Sequence, residues 1–180
     1  MADVGFPQKE VGLQLPIESH PDKQLHVLVF DEVSNALEIS QWVRQPGADF
    51  AAIDARMVVG VPQLFAASML AVHAEERGKL VTHALPSEVV YALSASKQIN
   101  EAFRRFGASE TSARIVIVTF DAAAAARLHD AVRGKLADPR SLATSFDDTA
   151  VRKAYRISET ELRVSSLLDA IVSRIAIARL

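Results

Sequence analysis

The chain has 180 residues, 49% apolar and 23% charged, with a formal charge of −2 and a sequence pI near 6.2. These values exclude a wholly disordered chain and a globally basic nucleic-acid binder, so any RNA contact has to come from a local patch. Cysteine is absent, which removes disulfides, thiolate nucleophiles, iron–sulfur clusters and cysteine-ligated zinc.

The N-terminus lacks the basic start and apolar core of a signal peptide, and no uncharged apolar run approaches the roughly 20 residues of a membrane span. The expectation is a soluble intracellular protein with one domain over residues 1–180, of which 1–24 form a loose leader. His26-Val27-Leu28-Val29-Phe30 is a β-branched apolar run suited to a buried strand. An amphipathic helix follows, with Val33, Leu37, Ile39 and Val43 against Asn35, Glu38, Gln41 and Arg44; Pro46-Gly47 stops it, and Trp42 is either core or an exposed anchor, with core preferred for a lone indole. Phe50 to Val59 reads as a short extended segment in which Asp54 and Arg56 either tie the chain down or form an inconsequential ion pair. Pro62 suits the first turn of a helix running to about Arg77, apolar around most of its circumference from Leu64 to Val72, which predicts the central buried helix.

Gly78 and Gly107 sit where a helix end calls for a residue tolerant of positive φ, while Pro86 and the serines at 87, 94 and 96 suit helix starts. Two short helices are predicted, separated by Ser94-Ala95-Ser96. In the second, Ile99, Ala102, Phe103 and Phe106 paint one apolar stripe. The opposite side carries Lys97, Gln98, Asn100, Glu101, Arg104 and Arg105, which taken alone reads as a solvated face with a favourable dipole.

Ala113 to Phe120 is the clearest strand and is predicted to pair with 26–30. The alanine run 122–126 favours a helix ending at Gly134, Leu142 to Phe146 suggests a third strand, and Asp147-Asp148 opens a short helix reaching Tyr155. Ser158 with Glu161 is a capping-box signature, predicting a final helix of about six turns to Arg179. Its polar stripe is Arg163, Ser166, Asp169 and Ser173. Val164, Leu167, Leu168, Ile171, Val172, Ile175 and Ile177 cover much of the rest, so the helix is either packed deep in its own domain or partly left for another chain. The fold class is therefore mixed α+β: one small central sheet packed with several helices and ending in a long helix.

A hydrolase elbow, a phosphate-binding glycine loop and a dinucleotide fingerprint are all missing. The histidines at 20, 26, 73, 83 and 129 form no H-E-x-x-H pair, and His73 with Glu76 gives only H-x-x-E. No catalytic residue, metal or cofactor is assigned. An enzyme assembled from distant residues, such as His83 with Asp54 or Glu88, has nothing positive in its favour.

The ordered set Ile53-Asp54-Ala55-Arg56, Pro62-Gln63-Leu64, Arg77-Gly78-Lys79, Leu85, Ser87-Glu88, Leu93-Ser94, Ile99, Glu101-Ala102, Arg105-Phe106-Gly107, Val151-Arg152-Lys153, Tyr155 and Leu167-Leu168-Asp169-Ala170-Ile171 resembles the PRPK-binding protein family. These are the small kinase-binding subunits of the KEOPS (EKC) complex, and the resemblance covers most of the chain. It implies a noncatalytic adaptor that docks a PRPK-type atypical kinase through its C-terminal region, here Val164, Leu167, Leu168, Ile171, Val172 and Ile175. Through the kinase it would join the other KEOPS subunits, in cytoplasm and nucleus, in the pathway that places threonylcarbamoyl on the adenosine next to the tRNA anticodon. It also implies a grip on the tRNA acceptor end, the single-stranded 3′ CCA, with Lys79, Lys97, Arg104 and Arg105 as phosphate contacts and His83, Ser87 and Gln98 beside them; Tyr91 is assigned to core packing ahead of RNA. The chain departs from the family pattern at Val81-Thr82-His83-Ala84, where relatives carry a more basic segment, at Ser68-Met69-Leu70 and at Ala95. A purely structural kinase-binding adaptor with no RNA contact is the alternative reading.

Overall fold

Helices cover both faces of the sheet, which is why its inner strands are unbroken apolar runs and not alternating ones. The computed structural model describes residues 12–178. Five strands, β1 (Leu13–Pro16), β2 (Gln24–Asp31), β3 (Phe50–Asp54), β4 (Ile115–Thr119) and β5 (Lys135–Ala137), pair antiparallel throughout. Their order is β1-β2-β4-β3, with β5 also paired to β2, further along the strand than β1. Val27 lies opposite Val118 and Val29 opposite Val116, the pairing of distant segments that the two apolar runs predict.

Side chains alternate between two cores. Val27, Val29, Ile53, Val116 and Val118 join the core under α2 (Val61–Glu76), α3 (Leu85–Leu93), α6 (Asp148–Tyr155) and α7 (Leu167–Ile177). Leu28, Phe30, Ala52, Ile115 and Ile117 join the core under α1 (Ala36–Val43) and α5 (Ala122–Ala131). The remaining helix, α4 (Ile99–Phe106), buries Ala102 and Phe106, while Ile99 of its apolar stripe stays 38% exposed. As predicted, α2 starts with Pro62 in its first turn, and it packs against both α3 and α7.

Several expectations need correction. Residues 1–11 of the proposed leader lie outside the described residues, but Leu13–Pro16 is a strand, paired from Leu13 opposite Val27 to Pro16 opposite Gln24. Trp42 is half-buried against the α1 side of the sheet and is not a core residue. Gly78 does adopt positive φ, at +62°, whereas Gly107 has φ −66°. Gly107 is needed for space: a Cβ there would lie 2.6 Å from the Phe103 carbonyl oxygen.

The strand expected at Leu142–Phe146 is instead the 3-10 turn Pro139–Thr144, capped by Asp138 and burying Leu142 alone. The ladder is completed by Lys135–Ala137, three residues with Lys135 and Leu136 exposed and Ala137 half-buried, too short to stand out as an apolar run. The long final helix is also broken. Ser158 Oγ does accept the Glu161 N–H at 3.3 Å, but only the 3-10 turn Glu161–Arg163 follows. Helix then restarts behind Ser166, whose Oγ accepts the Asp169 N–H at 3.1 Å, leaving α7 only 11 residues long. Ser165 and Ser166 favour the restart, since serine competes with helix interiors and suits caps.

On α7, Ile171 and Ile175 are wholly buried in the core shared with α2 and so present no docking surface. Leu167, Leu168 and Val172 are half-buried. Val164, ahead of the helix, is 87% exposed, and Ile177 at its end is 66% exposed.

Candidate functional site

Two buried polar contacts fix the ground on which the site is built. Gln63, at the start of α2, accepts the Val59 N–H at 2.7 Å and donates to the Met57 carbonyl at 3.1 Å and to the Tyr155 hydroxyl at 3.0 Å. Tyr155 in turn donates to the Leu93 carbonyl at 2.6 Å, so one knot joins the end of the β3 segment, α2, α3 and α6. Burial pushes the Tyr155 phenol well above its ordinary range, so it stays neutral and donating. Asp54 performs a local version of the same task. It accepts the Arg56 N–H at 3.0 Å and its guanidinium at 2.7 Å, an attachment that raises the Arg56 pKa further.

The loop ahead of α3 is held from inside that helix. Glu88, nearly buried, accepts the N–H groups of Val81 and Thr82 at 3.1 and 2.8 Å and the Thr82 hydroxyl at 2.7 Å. Ser87 Oγ accepts the Ala84 N–H at 3.2 Å and lies 2.7 Å from the Ala84 carbonyl oxygen, so its hydroxyl is engaged in the helix cap. Residues 81–84 thereby form a fixed turn with His83 exposed at its tip.

Between this turn and the loop joining α1 to β3 opens a cleft of about 700 Å³. Val43, Phe50, Val90, Ile99 and Phe103 give it an apolar wall, and Arg44, Gln45, Thr82, His83 and Ser87 give it a polar rim. An apolar wall with a few hydrogen-bonding groups and a permanent cation suits a flat, partly polar ligand. Arg44 and Gln45 are absent from the sequence-based assignment. They end an ordinary amphipathic helix just before Pro46-Gly47, and nothing in that pattern separates a cleft-lining cation from a solvated one.

The seven residues assigned to RNA do not form one cluster. His83 and Ser87 line the cleft. Lys79 is exposed beyond α2, its N–H donated to the Ala74 carbonyl at 2.8 Å. Lys97 and Gln98 are exposed at the entrance to α4, where Ser96 Oγ accepts the Gln98 N–H at 3.1 Å and the Lys97 carbonyl accepts the Tyr91 hydroxyl at 3.3 Å. Tyr91 itself is buried, as its core assignment requires. Arg104 is exposed. Arg105 faces away from the cleft: two residues along a helix is about 200° of rotation, so Ile99 and Phe103 look one way and Glu101 and Arg105 the other.

That second side of α4 borders a notch of about 490 Å³ shared with the ends of α6 and α7. There Arg105 pairs with Glu101 at 2.5 Å, and Ser96 Oγ donates to Glu101 at 2.5 Å. The Ser96 bond first, and then the field of Arg105, Arg104 and Arg156, hold the Glu101 carboxyl below its ordinary pKa. Among the described residues no three His, Asp or Glu side chains are grouped to hold a metal, and no helix is long and apolar enough to cross a membrane.

Comparison with known proteins bears on this geometry. Residues 30–179 match the family described as kinase binding protein CGI-121. The EKC/KEOPS complex subunit TPRKB of Danio rerio is 31% identical, over 83% of this chain and 88% of the relative. The EKC/KEOPS complex subunit cgi121 of Schizosaccharomyces pombe is 28% identical, over 86% of this chain and 95% of its own length. The subunit CGI121 of Eremothecium gossypii is 30% identical, over 88% of this chain and 83% of its own. A family match over residues 30–179, with relatives aligned across more than four-fifths of the chain, makes this protein a member of the CGI-121 kinase binding protein family.

Proposed function

We propose that the chain is a noncatalytic KEOPS (EKC) subunit that docks a PRPK-type kinase along the outer face of α7 and receives the unpaired 3′ CCA end of tRNA in the cleft beside α4. Family membership and the names of the relatives support the kinase and complex. The observation that carries the RNA reading is the cleft itself, about 700 Å³ with an apolar wall containing Phe103 beside Arg44, Gln45 and His83 on its rim: an aromatic ring for an unstacked base next to hydrogen-bonding groups and a cation. Lys79, Lys97 and Arg104, exposed outside the cleft, would contact the phosphates leading to it. Ser87 shapes the turn and gives the RNA little more than a cleft edge. Kinase docking falls to Leu168 and Val172, one turn apart on α7, with Val164 and Ile177 at the two ends. Transfer chemistry belongs elsewhere in the complex, and the site of action is cytoplasm and nucleus.

The test is tRNA binding by the purified chain, with the CCA end intact or trimmed. Arg44→Glu and His83→Ala should each weaken binding of intact tRNA, by about tenfold for the charge reversal, while kinase binding is unchanged. Trimmed tRNA should bind weakly to every form. Equal affinity for intact and trimmed tRNA would refute the cleft assignment, and kinase binding with no RNA affinity would leave the structural adaptor.

A further inference from the structure

The notch on the far side of α4 gathers three arginines from three elements: Arg105 from α4, Arg156 from the end of α6 and Arg174 from α7. Their roles differ. Arg174 donates to both oxygens of Glu161, at 2.6 and 2.7 Å, and to the Arg156 carbonyl at 3.3 Å, so most of its fork is committed within the fold. Arg105 is shared with Glu101. Arg156 closes α6 in the left-handed region, at φ +54°, where its backbone is pinned by Arg174, and its side chain makes no ion pair among the described residues. Three guanidiniums against Glu101 and Glu161 leave one positive charge uncompensated. Ser96, bound to Glu101, also lines the notch, and Ala154, Ala178 and the exposed Ile177 give it an apolar edge.

We propose that this notch receives an acidic side chain of the docked partner protein, an Asp or Glu with an apolar neighbour, Arg156 meeting the carboxylate and Ile177 the neighbour. The inference rests on the kinase-docking reading and gives that interface a charged anchor at the C-terminal end of α7. One uncompensated guanidinium matches one carboxylate, which its planar fork can hold with two parallel hydrogen bonds. A nucleic-acid strand fits poorly. It calls for several cations in a row and an open aromatic face, while the aromatic ring here, Tyr155, is buried and its hydroxyl is turned inward to Leu93. Arg174 is a positioning residue that fixes where Arg156 emerges.

The experiment titrates the full chain with its PRPK-type kinase over a range of salt concentrations, and with tRNA in parallel. Arg156→Asn is the main variant because asparagine tolerates the left-handed backbone, so the fold survives while the charge is lost. Kinase affinity should fall about tenfold and lose part of its salt dependence, tRNA affinity should not change, and reversing the matching acidic residue on the kinase should rescue Arg156→Glu. Unchanged kinase affinity in Arg156→Asn overturns the proposal. So does a fall in tRNA affinity alone, which would make the notch a phosphate site. If the wild-type chain fails to bind the kinase, the docking reading itself falls and takes this one with it; if wild type binds and the variant is indifferent, only the notch is lost.

Discussion

Tyr155 and Gln63 show how much a single polar contact can carry in this fold. Both stand within the short segments on which the family resemblance rests, and a sequence motif alone does not say whether such residues touch a ligand or each other. They touch each other, at 3.0 Å, inside the core. Tyr155→Phe keeps the ring packed edge-on against Phe106 but leaves the Leu93 carbonyl without its donor and Gln63 without one acceptor. Urea denaturation should show a loss of about 1–3 kcal/mol with the fold retained. His26 gives a pH test at the same scale. Burial pushes its imidazole below the ordinary 6.5, against a weaker pull upward from Asp121, so the folded chain keeps it neutral while the unfolded chain takes up a proton. Its contribution to stability is therefore full above pH 6.5 and lost as pH falls through that value toward the lower folded pKa. Thermal melts between about pH 7 and 5 should fall less steeply for His26→Gln than for the parent.

The short helices decide what is surface and what is core. A wheel drawn on the last segment shows Ile171, Val172 and Ile175 as equivalent apolar positions, but α7 buries the two isoleucines against α2 and leaves Val172 at the margin. Ile175→Glu should therefore unfold the domain, since it removes a core side chain whose truncation to Ala alone costs about 2–5 kcal/mol and adds an unpaired buried charge. Val172→Asp should leave the cooperative unfolding transition within about 1 kcal/mol of wild type and weaken kinase binding. Circular dichroism melts paired with a kinase pull-down separate these outcomes. Helix α4 makes the same point on its two faces. The charge cluster that looks uniform in sequence divides, with Arg105 held by Glu101 at the notch while Lys97 and Arg104 stay in solvent.

At the scale of the whole molecule, the cleft and the notch lie on opposite sides of α4, and α7 borders only the notch. Kinase and tRNA should then bind together without competition. Sedimentation of the three components should show a ternary species, and saturating kinase should change the tRNA affinity by less than about threefold; displacement of one by the other would contradict the two-sided arrangement.

The α+β class, the pairing of the two central strands, the start of α2, both helices of the 85–106 stretch and the family itself could all be read from the chain. Each is written in local periodicity, in Pro and Ser at helix starts, or in an ordered set of short segments. Tertiary structure decided the rest. Whether Ser158 or Ser166 would start the last helix, whether Leu142 belonged to a strand, and which face of α7 met α2 all depend on neighbours far away in sequence. So does the cleft, because Arg44 and His83 come together only when the antiparallel sheet brings the α1–β3 loop beside the turn that Glu88 holds. Burial is a property of the assembled layers, and a pattern of apolar residues specifies that a face must be covered without naming what covers it.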